Sequence, residues 1–223
     1  MRKIVIVSTL LMAATAAQAG VVVGGTRLVY NGDKKEAPIS VVNNDDINYL
    51  LQSWVDSDEQ GGEKAPFMVT PPLFRMEAHQ DNTLRVVRTG GTLPEDRESL
   101  YWLNVKAIPS AKKMESVNSL QIAIKTRIKL IYRPHGISGK PEEAADKLHW
   151  RKEGNTLVVE NPTPFYMNFY SVTVNGNKVS DVNYAVPKGE SRFPLKSSAS
   201  LNSVSWKIIN DYGAVSKSWS QNG

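Results

Sequence analysis

No stretch of this chain keeps a helical period. What recurs is a short alternating or apolar run, closed each time by Gly, Asn, Asp or Pro. Period-2 runs bounded by turn residues are the pattern of half-buried strands, so the chain is predicted to be mostly β. Three hairpins are predicted: residues 26–30 with 38–42 around Asn31-Gly32, residues 148–151 with 156–159 around Gly154-Asn155, and residues 169–174 turning back at Asn175-Gly176. Asn-Gly supplies the positive φ values that a tight hairpin turn needs. Further strands are predicted over residues 49–55, 83–88, 100–107, 120–132 and 204–210. The pattern halts after Tyr132-Arg133-Pro134, where residues 135–147 turn polar around Gly136, Gly139 and Pro141. A linker there leaves room for two sandwiches of about 100 residues each. No fixed-period repeat is visible, which disfavours a solenoid or propeller.

The first 19 residues read differently. Arg2 and Lys3 precede an apolar run, and Ala17-Gln18-Ala19 has the small-residue spacing of a signal-peptidase site. The run is too short, and too diluted by Ser8, Thr9 and Thr15, to match a membrane span of about 20 apolar residues. An exported protein is expected. It contains no cysteine, so its cores must be large enough to hold without disulfides. The formal charge of +5 is small and includes two leader cations, so no nucleic-acid partner is expected.

The residues for catalysis are not assembled in sequence. His79, His135 and His149 are far apart, and none has a metal-ligand spacing. No serine sits in a nucleophile elbow, no Gly-rich loop opens a helix, and no thiol exists. Adjacent acids such as Glu142-Glu143 and the Asp56/Asp58 pair read as solvated charge. No enzymatic activity, metal or cofactor is expected.

The most unusual segment is NSLQIAIKTRIKLIYR, residues 118–133. In a regular strand Leu120, Ile122 and Ile124 form an aliphatic ladder on one face, continued by Ile128 and Leu130, and Lys129 points to the other face. Only a bulge or strong twist would bring them to a common surface. On the residues alone this is an ordinary core strand with Lys129 in solvent.

Six segments in order give the chain a family resemblance: residues 26–30 (TRLVY), 71–75 (PPLFR), 96–104 (DRESLYWLN) with Ile108-Pro109, 121–134 (QIAIKTRIKLIYRP), 160–164 (ENPTP) and 209–213 (INDYG). The chain resembles the periplasmic pilus-assembly chaperones of the PapD-like family. That resemblance implies an all-β protein of two immunoglobulin-like β-sandwich domains set at an angle around a cleft. The leader would occupy residues 1–19, the first domain residues 20–138 and the second residues 139–223. It implies a periplasmic chaperone that binds pilus or fimbrial subunits, completes their unfinished sandwich with its own donor strand, and delivers them to an outer-membrane usher. Leu120, Ile122 and Ile124 would fill the subunit groove. Arg27 and Lys129 match the cleft pair that binds the subunit's C-terminal carboxylate. Glu98, Arg133 and Asp211 match a charged cluster bridging the domains, which Arg85 is expected to join.

The ten residues between Pro109 and Leu120 resemble the short-loop subfamily, with Met114 and Val117 extending the ladder and Lys112 and Lys113 in solvent. The absence of cysteine departs from members with a disulfide in the second domain. An apolar edge strand also leaves self-association of the free chain open. The alternatives are an adhesin or pilus subunit, against which the missing cysteine pair counts, and a sugar-binding sandwich. The latter requires Trp54, Trp150 and Trp219 to form an exposed platform, whereas Trp102 and Trp206 sit in alternating runs and are expected in the core.

Overall fold

The computed structural model describes residues 20–57, 65–110, 120–195 and 200–223. The leader at residues 1–19 and the loop carrying Lys112, Lys113, Met114 and Val117 lie outside the described residues. The strands of the first half are β1 (Val21–Val23), β2 (Arg27–Asn31), β3 (Glu36–Asn43), β4 (Tyr49–Asp56), β5 (Phe67–Thr70), β6 (Leu73–Met76), β7 (Asp81–Arg88), β8 (Ser99–Pro109) and β9 (Ile124–Arg133). They form two sheets, ordered β1-β3-β7-β5 and β2-β9-β8-β4-β6. Alternation along each strand makes the core: Ala37, Ile39 and Val41 of β3 and Leu84 and Val86 of β7 are buried in one cluster with Leu103, Val105, Ile128 and Leu130.

The second sandwich contains β10 (His149–Glu153), β11 (Thr156–Asn161), β12 (Met167–Val174), β13 (Asn177–Lys178), β14 (Tyr184–Ala185), β15 (Gly189–Pro194), β16 (Ser203–Ile208) and β17 (Trp219–Asn222). Its sheets are β10-β11-β15 and β13-β12-β16-β17, with β14 paired to β12. A separate apolar cluster fills it, around Trp150, Leu157, Phe169, Phe193 and Trp206. Without a disulfide, the last strand is tied in by its ladder to β16 and by Gln221, whose carboxamide accepts from Trp150 N and donates to Trp150 O, both at 2.8 Å. That side chain joins one sheet of the sandwich to the other.

Two predicted hairpins form, β10–β11 around Gly154 (φ +58°) and β12–β13 around Asn175 (φ +51°) and Gly176 (φ +81°). The third does not. β3 pairs with β1 and β7, whereas β2 lies parallel to β9 in the other sheet. Asn31-Gly32 therefore carries the chain between sheets, and Gly32 N donates to Arg133 O at 2.7 Å. A Cβ on Gly32 would lie 3.0 Å from the Tyr132 hydroxyl and 3.1 Å from Arg133 O, so the glycine answers a close approach of backbones.

The polar linker is also more structured than its composition suggests. It contains a one-turn helix, α1 (Pro141–Ala144), and a 3-10 turn whose Ala145 packs in the second core. Trp150 is buried there too, so the three-tryptophan platform does not form. Trp206 lies in the core as expected, but Trp102 is only half-buried, with the Arg127 guanidinium 4.2 Å above its ring.

Candidate functional site

β9 is the central strand of the site. It pairs with β8 in unbroken antiparallel register, from Ala107↔Ile124 to Ser99↔Tyr132. On its other side β2 runs parallel to it but only from Arg27↔Lys129 to Asn31↔Arg133. Ahead of Arg27 the chain has crossed from β1, and Gly24 N bonds to Ser40 O of the opposite sheet. A Cβ on Gly24 would meet Ser40 Oγ at 2.0 Å, so this crossing also requires glycine. Among the described residues, then, no strand pairs with this edge of β9 between Ile124 and Ile128.

The side chains change with the pairing. Ile128 and Leu130 are 7% and 0% exposed, whereas Leu120, Ile122 and Ile124 are 86%, 64% and 56% exposed. The ladder expected from sequence is thus open to solvent. The regular strand begins at Ile124, and residues 120–123 have no strand assignment. No bulge interrupts β9, so Lys129 stays on the face opposite the ladder. Ile124 of the ladder and Lys129 share the strand and occupy opposite faces.

Arg27 and Lys129 face each other as Cα partners where β2 begins. Both reach the second sandwich: Arg27 Nη1 donates to Ile209 O at 3.2 Å, and Lys129 Nζ donates to Asn168 Oδ1 and lies 4.7 Å from the Tyr184 ring centroid. Burial lowers the Arg27 pKa, partly offset by the Asp211 carboxylate. Arg27 Nε is buried without a hydrogen-bond partner among the described residues. A half-buried guanidinium with an unpartnered Nε, set beside a lysine, has the donors that an anion would need.

The charged cluster forms as expected in three of its four members. Arg133 Nε donates to Glu98 Oε1 at 2.7 Å, while Nη1 and Nη2 grip Asp211 at 2.8 and 3.0 Å. Glu98 is 2% exposed, and its Oε2 accepts from Tyr166 N at 2.7 Å. Burial pushes the Glu98 carboxyl up to about 7, against the pull of Arg133 and the Tyr166 N–H. Burial works against the charged Arg133, yet Asp211 and Glu98 hold its guanidinium above the ordinary value. Arg85 does not join. It lies on β7 opposite Pro38, and its ion pair is with Glu36 at 3.3 Å, both side chains substantially exposed.

Of the second sandwich's contributions to this junction, Asp211 was expected, whereas the groups around Pro164 and Phe165 and the acceptors Asn168 Oδ1 and Ile209 O were not. In ENPTP, buried Asn161 folds a turn by bonding Phe165 O and accepting from Thr163. The turn offers Pro164 O to Glu98 N at 2.9 Å and Phe165 to Arg133, whose guanidinium sits 5.2 Å from its ring. In INDYG, Asn210 Oδ1 accepts from Tyr212 N and Ala214 N, presenting Asp211 to Arg133. Lys188 and Asp96 add a surface ion pair across the domains at 2.8 Å. The two sandwiches meet at these contacts, and the cleft cations lie beside them.

Residues 20–138 match the family profile described as "Pili and flagellar-assembly chaperone, PapD N-terminal domain", and residues 143–220 match "Pili assembly chaperone PapD, C-terminal domain". The chain belongs to the PapD-like pilus-assembly chaperones. This chaperone is 44% identical over 208 residues to the chaperone protein FimC of Escherichia coli K12, covering 92% of this chain and 85% of that one. It is 40% identical to the chaperone protein LpfB of Salmonella typhimurium, over 92% and 90% of the two chains. Among solved structures it matches one titled as the Salmonella enterica SafA pilin in complex with the SafB chaperone, with TM-score 0.84, 38% identity and coverage of 93% and 98%. The Escherichia coli chaperone DraB matches with TM-score 0.83 and 40% identity, over 92% and 98%. The protein is a chaperone of pilus-subunit assembly, and the sugar-binding and adhesin readings are set aside.

Proposed function

We propose that this chaperone acts in the periplasm, after removal of residues 1–19, by lending β9 and its ladder to a pilus subunit and passing the complex to an outer-membrane usher. The observation that carries the reading is the unpaired edge of β9, which ends at Arg27 and Lys129. A guest strand on that edge lies in the lane that β2 occupies further on. If it runs parallel to β9, it ends where β2 begins, and its terminal carboxylate meets the two cations. An antiparallel guest would bring the start of its last strand there and leave its carboxylate far from the cations. Charge therefore fixes both direction and register, and charge-assisted bonds in a partly dehydrated cleft are strong. Leu120, Ile122 and Ile124 would enter the subunit groove, each burial worth roughly 1.5–3 kcal/mol before association costs. No nucleotide or cofactor enters this mechanism. The cluster of Arg133 with Glu98 and Asp211 would hold the domain angle and so the cleft width, and the division into domains of residues 20–138 and 139–223 belongs to the same reading.

The test is co-purification with a pilus subunit encoded beside the chaperone, comparing wild type with Arg27→Ala and Lys129→Ala after both variants are confirmed folded. A stoichiometric complex lost in both variants is expected. Undiminished binding by the folded variants would overturn carboxylate anchoring.

A further inference from the structure

Arg133 and Arg27 are both arginines at the domain junction, and they are held in opposite ways. Arg133 is saturated by the carboxylates of Glu98 and Asp211. Arg27 bonds a backbone carbonyl, and beside it Lys129 Nζ bonds the side-chain oxygen of Asn168. We propose that Asn168 is a positioning residue, a neutral latch that holds Lys129 in the cleft until a C-terminal carboxylate displaces it, with Tyr184 as the wall behind the ammonium. This rests on the carboxylate-anchoring reading above.

Asn168 is built in for such a role. It is 4% exposed on β12, and its backbone O accepts from Ile209 N at 2.7 Å. Ile209 is the residue whose own carbonyl holds Arg27. One backbone hydrogen bond therefore couples the supports of the two cations. The Asn168 Nδ2 points to Tyr166 O at 3.5 Å, which leaves Oδ1 as the atom turned to Lys129. Tyr184 is fixed in turn by an edge contact with Tyr166, their centroids 5.5 Å apart. All these supports come from the second sandwich and both cations from the first, so the site exists only with the domains in place.

The choice of amide over acid has a physical reason. Lys129 is half-buried, and a partly dehydrated cation without an acceptor is costly, so an oxygen close to its ammonium stabilises the free protein. An amide oxygen satisfies it without the opposite charge that a carboxylate adds to the bond. Exchange of the amide for a terminal carboxylate is then downhill. An aspartate at the same place would hold Lys129 permanently and repel the incoming anion.

The experiment uses the full chaperone and a synthetic peptide with the sequence of the last strand of a pilus subunit encoded beside it, made once as the free acid and once as the C-terminal amide. Wild type is expected to prefer the acid by roughly 30-fold or more, the equivalent of losing one charged partner. Asn168→Asp is expected to lose nearly all of that preference with thermal stability no lower than wild type, a split that a packing role would not produce. Asn168→Thr, which keeps a neutral oxygen acceptor suited to a strand, is expected to retain most of the preference. If the wild type discriminates and Asn168→Asp discriminates equally, the positioning role is overturned. The same holds if folded Asn168→Thr loses the preference as fully as Asn168→Asp. If the wild type does not distinguish acid from amide, the anchoring reading itself falls.

Discussion

The two halves of the ladder segment are written in the same residues and live in different environments. From Lys129 to Tyr132 the segment has β8 on one side and β2 on the other, and its inward side chains are core, as is Ile128 immediately before the β2 pairing begins. From Leu120 to Ile124 it has the same aliphatic alternation, no strand on the β2 side among the described residues, and exposed side chains. Residue type does not separate the halves; the occupied lane does. Three consecutive ladder positions left exposed beside a strand edge that no described strand covers fit the proposed binding surface, since such edges otherwise invite aggregation.

This contrast can be broken from either side. The largest effect is expected in the buried half, where Leu130→Ala should cost about 2–5 kcal/mol of stability by leaving a cavity, measured by denaturant unfolding. In the exposed half, Ile122→Ala should change stability by less than about 0.5 kcal/mol. The same substitution should weaken subunit binding by about 1.5–3 kcal/mol, read as a fall in affinity by titration. Equal stability losses in the two halves would erase the distinction.

The charged cluster lies where the two sandwiches meet, and it should carry a pH signature. Glu98 titrates at about 7 in the folded chain because it is buried, against 4.5 for the free side chain. Between those values the folded state binds more protons than the unfolded one, so stability should fall as pH rises from about 4.5 to 7. At its full extent the effect is on the order of 3 kcal/mol, and Glu98→Gln should flatten it in thermal unfolding followed across that range. Arg85→Ala should do least, within about 1 kcal/mol, because its ion pair with Glu36 is solvated. A larger loss would return Arg85 to the interdomain cluster.

Much of this was legible in the residues. Alternation and turn chemistry located β4, β7, β8, β10, β11 and β12, and the ladder was read from residues 118–133, whereas Arg27 and Lys129 were singled out only by the family resemblance. Pairing was less legible. Asn31-Gly32 reads as a hairpin locally, but β2 finds its partner about 100 residues later in β9, and local turn preference cannot report that choice. The short strands β5, β6 and β14 were too brief to show a period. The supports of the cations, Asn168 Oδ1 and Ile209 O, left no signal because a backbone carbonyl has no residue type and a strand asparagine has many uses. Arg85 was drawn into the cluster by charge alone, and only the fold separates it from Arg133.

The central claim is that a subunit strand occupies the open lane beside β9 and stops at the cations. Amide hydrogen exchange of the chaperone, alone and in complex with its subunit, tests it most directly. The account predicts new protection at the amides of residues 124–128 that point away from β8, with residues 130–132 already protected in the free protein and unchanged. Protection that appears on another surface while those edge-facing amides continue to exchange freely would contradict it.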